Sequence, residues 1–518
     1  MGNDNHTDSV APAVSRAAVP VLSANAAKYV AARAAATNAT NELVMMDATA
    51  LASAIRSRTV SCVEVMAAYL DHIERINPKV NAIVALQDRG ELLLQARERD
   101  ERLERSDATG PLHGLPLAVK DLQSVKGIRT TLGSRIFKDS VPSTDSMMVA
   151  RLRRAGAIFV GKTNTAEFGL GSHTYNLVYG ATRNAYDPSR SAGGSSGGAA
   201  VALALRMLPL ADGSDYGGSL RNPAGWNNVF GLRASIGRIP GDALDAWLPS
   251  MSVTGPMARN VTDLALLLAV QAGYDARAPL SMDGDGSIFQ GQLAQNVKGK
   301  RIAWGADFKG HTPCEPAVLK VCRAAMRTFE SLGCTVEESI PEFDLDAVWQ
   351  ALVRLRGWQQ GSSLLAYYND PVQRSLLKPE AIFEIETGLR QSAYDISAAS
   401  TVRTEWYHAV REFFGRYDYL VIPTAQVLPF AVELHWPQQV AGRAMQTYHE
   451  WMKASLLITM SGCPSIAAPA GFSEQGLPIG IQIIGPNRSE LECLQLAYAY
   501  EQASNWTDSY LPMLLARP

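Results

Sequence analysis

Two serines and one lysine have sequence settings that suit nucleophilic chemistry. Ser195 lies in Gly193-Gly194-Ser195-Ser196-Gly197-Gly198, and Ser219 follows 24 residues later in Tyr216-Gly217-Gly218-Ser219-Leu220-Arg221. Glycines let a backbone approach a substrate and present N–H groups without side-chain hindrance. Lys120 follows the apolar run 115–119, and apolar surroundings favour the neutral amine over the ammonium. A neutral lysine and two serines are enough for a nucleophilic hydrolase that uses no histidine.

The first glycine-rich segment has competing interpretations. A flexible linker is excluded because a helix-forming run, 199–208, follows at once, and a phosphate-binding loop would need a G-x-x-x-x-G-K-[ST] pattern. Residues 193–197 also satisfy G-x-S-x-G, the nucleophile elbow of α/β-hydrolases, with Ser195 as nucleophile. That alternative requires a later acid and a histidine, and the available histidines are His311, His408, His435 and His449. It leaves Ser219 and Lys120 without a role.

The second glycine-rich segment and the lysine also have ordinary explanations. Residues 213–219 follow a strand-like apolar run, Met207–Ala211, and successive N–H groups from Tyr216 to Ser219 can form a nest for an oxyanion. The alternative is a plain glycine turn. For Lys120, the alternative is a surface ion pair with the adjacent Asp121.

Strands and helices must alternate along the chain to position these residues. A capping box at Ser61 and Glu64 precedes apolar residues at helical spacing up to Ile76. The further predicted elements are helices at 144–155, 315–332 and 489–502, and strands at 156–161, 301–304, 335–337, 419–423, 465–469 and 479–484. This alternation predicts an α/β fold with a central mixed sheet and helices on both faces.

Two regions differ in character from this α/β pattern. Residues 1–43 are rich in alanine and predict a flexible arm, with a short helix across Ala26–Ala36. Residues from about 344 to 448 carry many aromatics at helical spacing, which predicts a mainly helical insertion that covers the substrate site. For any single aromatic in it, packing between helices is the ordinary explanation.

Composition narrows the functional classes. The 518 residues are 47% hydrophobic and 19% charged with a net charge of −2, and no basic stripe favours nucleic acid or a membrane surface. Six scattered cysteines indicate reduced thiols, and neither they nor the histidines show metal-ligand spacing. No signal peptide or membrane span is evident, so a cytoplasmic location is expected.

Taken together, these segments resemble the amidase signature family of serine hydrolases. The resemblance runs from about Leu43 to Pro512. It is carried by the segments 111–121, 161–168, 191–198, 215–223, 255–259, 423–424 and 476–480, and by the intervals of 75 residues from Lys120 to Ser195 and 24 from Ser195 to Ser219. It implies a single amidase signature domain over 44–518.

The resemblance implies a Ser-Ser-Lys triad. Ser219 corresponds to the nucleophile, Ser195 to the bridging serine after a cis peptide bond, and Lys120 to the general base. Ser196, Asp215 and Arg221 correspond to supporting residues, and the backbone N–H groups of Tyr216, Gly217, Gly218 and Ser219 to the oxyanion hole. Tyr216 stands where many members carry threonine, isoleucine or methionine.

The implied activity is hydrolysis of a small carboxamide through an acyl-enzyme, without metal or organic cofactor. Aryl amides, esters and carbamates are the candidate substrates. The aromatics of 344–448 favour a bulky, apolar or aryl group. Alternatives are the A subunit of a tRNA-dependent amidotransferase and, on the elbow interpretation, an esterase using Ser195. The sequence leaves a homodimer open.

Overall fold

A computed structural model describes residues 41–242, 245–248 and 251–516. The predicted helix at Ala26–Ala36 and most of the arm lie outside the described residues. Fifteen strands are described: β1 Ile83–Val84, β2 Pro116–Lys120, β3 Ile158–Thr163, β4 Tyr175–Asn176, β5 Gly180–Ala181, β6 Ala211–Asp215, β7 Phe230–Arg233, β8 Val253–Ala258, β9 Arg301–Trp304, β10 Thr335–Glu338, β11 Tyr419–Pro423, β12 Gln439–Val440, β13 Arg443–Ala444, β14 Ser465–Phe472 and β15 Pro478–Ile484.

The helices precede, separate and follow these strands. They are Glu42–Met45, Ala48–Arg56, Cys62–Ile76, Arg89–Glu104, Met147–Arg154, Gly197–Ala204, Arg221–Trp226, Val261–Gln271, Pro316–Ser331, Leu345–Asn369, Pro371–Arg374, Pro379–Leu389, Ala393–Phe413, Lys453–Ser461, Glu490–Ser504 and Trp506–Ser509. Ser61 forms the predicted capping box with Glu64 at the start of its helix. The fold class predicted from the alternation of elements is confirmed.

Two sheets position the candidate residues. The large sheet is mixed, in the order β10-β9-β11-β15-β14-β7-β8-β6, and the small sheet has the order β1-β3-β2. The small sheet meets the edge of the large one, where the Lys120 N–H donates to Asp212 Oδ1 at 3.0 Å. Lys120 at the end of β2 therefore lies next to β6, after which Ser219 follows.

One strand was misplaced by the apolar pattern. Met207–Ala211 is buried, but the strand begins at Ala211 and runs to Asp215, paired antiparallel with β8. Its residues Asp212, Ser214 and Asp215 are polar, so hydrophobic periodicity does not reveal it.

The helix Gly197–Ala204 forms the centre of the core and is entirely buried. It begins directly after the serine pair. A Cβ on Gly198 would lie 2.4 Å from Asn164 N and 2.6 Å from Ala82 O, so only glycine permits this approach to β3. The six cysteines are buried and unpaired, as predicted.

Candidate active site

Lys120 is the last residue of β2, and its side chain has no exposed surface. Its Nζ lies 2.8 Å from the hydroxyls of both Ser195 and Ser196. Burial disfavours the ammonium and lowers the pKa of Lys120 to about 7, although the carboxylates of Asp212 and Asp215 act in the opposite direction. With a pKa near 7, about half of the amine is neutral at pH 7, and the neutral form can accept a proton from a serine hydroxyl.

The alternative of a surface ion pair between Lys120 and Asp121 is wrong. Asp121 is also fully buried, but its carboxylate accepts the Thr131 hydroxyl at 2.5 Å and lies 3.9 Å from the Nζ of a second buried lysine, Lys162. Lys120 is therefore directed to the serines and not to its neighbour in sequence.

Two side-chain hydroxyls hold the loop that carries Ser195 by donating to its backbone carbonyls. The peptide bond between Gly194 and Ser195 is cis, as the resemblance implied. The Thr174 hydroxyl donates to Gly193 O at 2.8 Å, and the Ser172 hydroxyl donates to Gly194 O at 2.9 Å. A Cβ on Gly194 would lie 2.9 Å from the backbone N of His173, so this close packing requires glycine.

Asp215 organises the loop that carries Ser219. Its two carboxylate oxygens accept Nη2 and Nε of Arg221 at 2.8 and 2.9 Å, and Arg233 Nη1 lies 3.3 Å from Oδ1. Burial acts to raise the pKa of Asp215, but the two arginines outweigh it and hold this pKa well below its usual range. Arg221 also donates to Ser455 O, Gln482 Oε1 and Thr459 Oγ1, so the loop is fixed to the core.

The backbone N–H of Gly218, one of the predicted oxyanion donors, faces the Asp215 carboxylate. The Gly218 N–H donates to Asp215 Oδ1 at 3.0 Å, and the Leu220 N–H donates to Oδ2 at the same distance. This hydrogen bond from Gly218 helps to shape the loop that carries Ser219. The N–H groups of Tyr216, Gly217, Gly218 and Ser219 remain the predicted oxyanion donors.

The candidate residues are only partly in direct contact. Lys120, Ser195 and Ser196 are joined by hydrogen bonds, whereas Ser219 Oγ has no hydrogen-bond partner among the described residues. The two loops are tied one step away: Asn222 Nδ2 donates at 3.1 Å to the Ser172 hydroxyl, which holds Gly194 O.

Sequence reasoning missed Ser214 and Asp212. Ser214 Oγ lies 2.9 Å from Lys120 Nζ, and Asp212 accepts the Lys120 N–H. Both belong to β6, where alternate residues share one face. Recognition of 211–215 as a strand would have placed them together beside Lys120.

The elbow alternative lacks its histidine. Within the described part of the chain, Ser195 Oγ bonds Lys120 and no histidine, and His449 is instead bonded to Glu384 at 2.8 Å. No cluster of three or more His, Cys, Asp or Glu side chains there can hold a metal ion. Nor does any described helix have the length and apolarity to cross a membrane.

Comparisons with known proteins identify the family of this chain. The Amidase family model matches residues 64–494. An acylamidase of Rhodococcus erythropolis is 33% identical over 467 residues, covering 89% of this chain and 96% of the relative. The A subunit of the glutamyl-tRNA(Gln) amidotransferase of Moorella thermoacetica is 35% identical over 491 residues, covering 90% of this chain and 98% of the relative.

A solved structure shows the same fold. The crystal structure of a bacterial aryl acylamidase of the amidase signature family superposes with a TM-score of 0.85 at 30% identity, covering 91% of this chain and 99% of that one. The chain therefore belongs to the amidase signature family and is a hydrolase acting on carbon–nitrogen bonds other than peptide bonds.

Proposed function

We propose that this protein is a free-standing amidase that cleaves carboxamides through an acyl-enzyme on Ser219. Lys120 serves as general base and Ser195 as the proton relay between Lys120 and Ser219. The observation that carries the proposal is the contact of 2.8 Å between Lys120 Nζ and Ser195 Oγ, made by a fully buried amine.

The reaction follows from this placement. Neutral Lys120 takes the proton of Ser195, which takes the proton of Ser219, and the Ser219 oxygen bonds to the carbonyl carbon. Backbone N–H groups of the 216–219 loop stabilise the oxyanion, by roughly 3 kcal/mol per donor. When the C–N bond breaks, Ser195 returns a proton to the departing nitrogen and regains one from Lys120. Water then enters by the same relay and releases the acid.

A fluorophosphonate probe tests which serine is the nucleophile. The Ser219→Ala variant is expected to lose labelling while its unfolding transition stays unchanged, since only one hydroxyl without a partner is removed. Ser195→Ala serves as the matched control: it loses the relay but keeps the nucleophile, so slow labelling should persist. Labelling that survives in Ser219→Ala and vanishes in Ser195→Ala would support the elbow interpretation.

The helical segment 344–448 is proposed to cover this site. Tyr216, next to the nucleophile loop, donates its hydroxyl to Gln359 Oε1 at 3.0 Å, and the Arg356 guanidinium lies 4.5 Å from the Tyr216 ring centroid. Both partners belong to the helix Leu345–Asn369. The segment is thus in contact with the loop that carries Ser219.

An aryl or bulky apolar substrate fits the surroundings of Ser195. A Cβ on Gly169 would lie 3.4 Å from Ser195 Oγ, so the adjacent Phe168 is close to the site. Phe168 stacks on Tyr367, with centroids 6.4 Å apart and an interplanar angle of 9°. The acylamidase and aryl acylamidase relatives support the same substrate class.

The A subunit of an amidotransferase is the second candidate, because the Moorella thermoacetica protein is similar to this chain over most of its length. The purified chain, without partner proteins, distinguishes the two when it is assayed on anilides, primary amides including glutamine, esters and carbamates. Faster turnover of anilides than of glutamine is expected. Glutaminase activity that appears only with co-purifying partner proteins would favour the second candidate.

A further inference from the structure

Asp212 is a buried carboxylate that the proposed reaction does not use. Its side chain lies on β6 and is 1% exposed. One oxygen, Oδ1, accepts the backbone N–H of Lys120 at 3.0 Å, while Oδ2 has no hydrogen-bond partner among the described residues. A buried acidic group with one unpaired oxygen costs free energy, so a compensating interaction is needed.

Two buried lysines supply that compensation. Lys120 ends β2, and Lys162 lies on the neighbouring β3, where Val119 pairs with Lys162 and Lys120 with Thr163. Both lysines attract the Asp212 carboxylate electrostatically. Lys162 Nζ is itself held by Thr130 Oγ1 at 3.1 Å and by Gln123 O.

A further titratable group in this layer, Asp121, lies 3.9 Å from Lys162 Nζ, whereas Lys120 Nζ bonds the serine hydroxyls. The helix Gly197–Ala204, which packs on these strands, and β8, which pairs with β6, carry no titratable side chain. Besides Asp212, the carboxylate that acts on Lys120 is Asp215, and it is neutralised by two arginines. Asp212 is therefore the carboxylate with the most freedom to influence Lys120.

We propose that Asp212 is a positioning residue that holds the Lys120 main chain against β6 and sets the pH at which Lys120 becomes a neutral base. This proposal rests on the role of Lys120 in the proposed function. A negative charge near an ammonium favours the charged form, so Asp212 opposes the effect of burial and keeps Lys120 basic. Burial in turn raises the pKa of Asp212 to about 6, so Asp212 is ionised where Lys120 loses its proton.

The pH dependence of kcat/KM for an anilide in Asp212→Asn tests the proposal. Asparagine retains an oxygen that can accept the Lys120 N–H but removes the charge. The acid limb of the profile should move to lower pH by about one unit, because the neutral amine becomes easier to reach. The ratio of variant to wild-type kcat/KM should therefore be higher at pH 6.5, where Asp212 is ionised and Lys120 still titrates, than at pH 8.

The matched control is Asp121→Asn, which removes a buried carboxylate that faces Lys162 and Thr131 but not Lys120. Its acid limb should stay at the wild-type pH. If Asp212→Asn does not fold, Asp212→Ser, smaller and also neutral, takes its place. A uniform loss of rate with an unmoved limb would overturn the proposal and make Asp212 merely structural. Failure of the proposed function looks different: Lys120→Ala would then keep full activity.

Discussion

The side chain of Lys120 is subject to two opposing influences. Burial favours the neutral amine, and the carboxylates of Asp212 and Asp215 favour the ammonium, with a net pKa of about 7. An amine with its pKa near the working pH is an effective general base, because a large fraction is neutral and still basic. The pKa of Lys120 therefore predicts how the rate of the reaction depends on pH.

Wild-type kcat/KM is expected to rise about tenfold per pH unit below pH 7 and to level off above it, since only neutral Lys120 accepts a proton. Lys120→Ala should lower kcat roughly 10²- to 10⁴-fold and abolish the rise of kcat/KM below pH 7. Steady-state kinetics from pH 5 to 9 measures both. A wild-type profile that is flat over this range would contradict the assignment of Lys120 as base.

At the scale of elements, the helices Leu345–Asn369 and Pro379–Leu389 pack in close contact. A Cβ on Gly388 would lie 2.4 Å from Gly357 O, so glycine allows this approach. Beside this contact, Arg356 Nε donates to Glu384 Oε1 at 2.6 Å, with both side chains buried. The same oxygen accepts the Tyr448 hydroxyl and lies 2.8 Å from His449 Nε2. This ion pair joins the helical segment to the ring of Tyr216.

Glu384→Gln is expected to destabilise the protein by about 3 kcal/mol, because it leaves the Arg356 charge buried without its counterion. The midpoint of urea unfolding measures this change. Glu386→Gln is the matched control, since its side chain on the same helix is 44% exposed and should change stability by less than about 0.5 kcal/mol. Equal midpoints for the two variants would show that the buried pair adds nothing to stability.

At the scale of the whole molecule, the two sheets and the surrounding helices are joined by buried carboxylates. Asp263 accepts the N–H groups of Ala48 and Thr49, which anchors the helix Ala48–Arg56 to the helix Val261–Gln271. Glu501, on the helix Glu490–Ser504, accepts the Val261 N–H at 3.1 Å and so anchors this helix to the helix Val261–Gln271. Burial raises the pKa of Glu501 to about 8.

This raised pKa predicts a pH-dependent stability difference. Folded Glu501 retains its proton above its ordinary pKa of 4.5, so its contribution to stability is complete below pH 4.5 and is lost as the pH rises to about 8. Glu501→Gln keeps an acceptor for Val261 and avoids the buried charge. Its stability relative to wild type should rise from pH 5 to pH 8, by roughly 3–4 kcal/mol.

Thermal unfolding at both pH values measures this difference. The exposed Glu492 of the same helix provides the control, since Glu492→Gln should behave alike at the two pH values. A stability difference for Glu501→Gln that does not change with pH would show that Glu501 titrates normally.

Local patterns in the sequence determined much of this protein. The capping box at Ser61, the β-α-β unit from Arg301 to Glu338 and the α/β class follow from periodicity and caps, because these depend on residues close together in the chain. The segments around Lys120, Ser195 and Ser219, with their intervals, carried the resemblance to the family.

Tertiary structure alone decided how these residues meet. The strand β6 is polar, so only its pairing with β8 reveals it and places Asp212 and Ser214 beside Lys120. Likewise, the hydrogen bond donated by the Gly218 N–H depends on the orientation of the Asp215 side chain. These contacts join residues distant in the chain, and no local pattern encodes which buried acceptor a given N–H will reach.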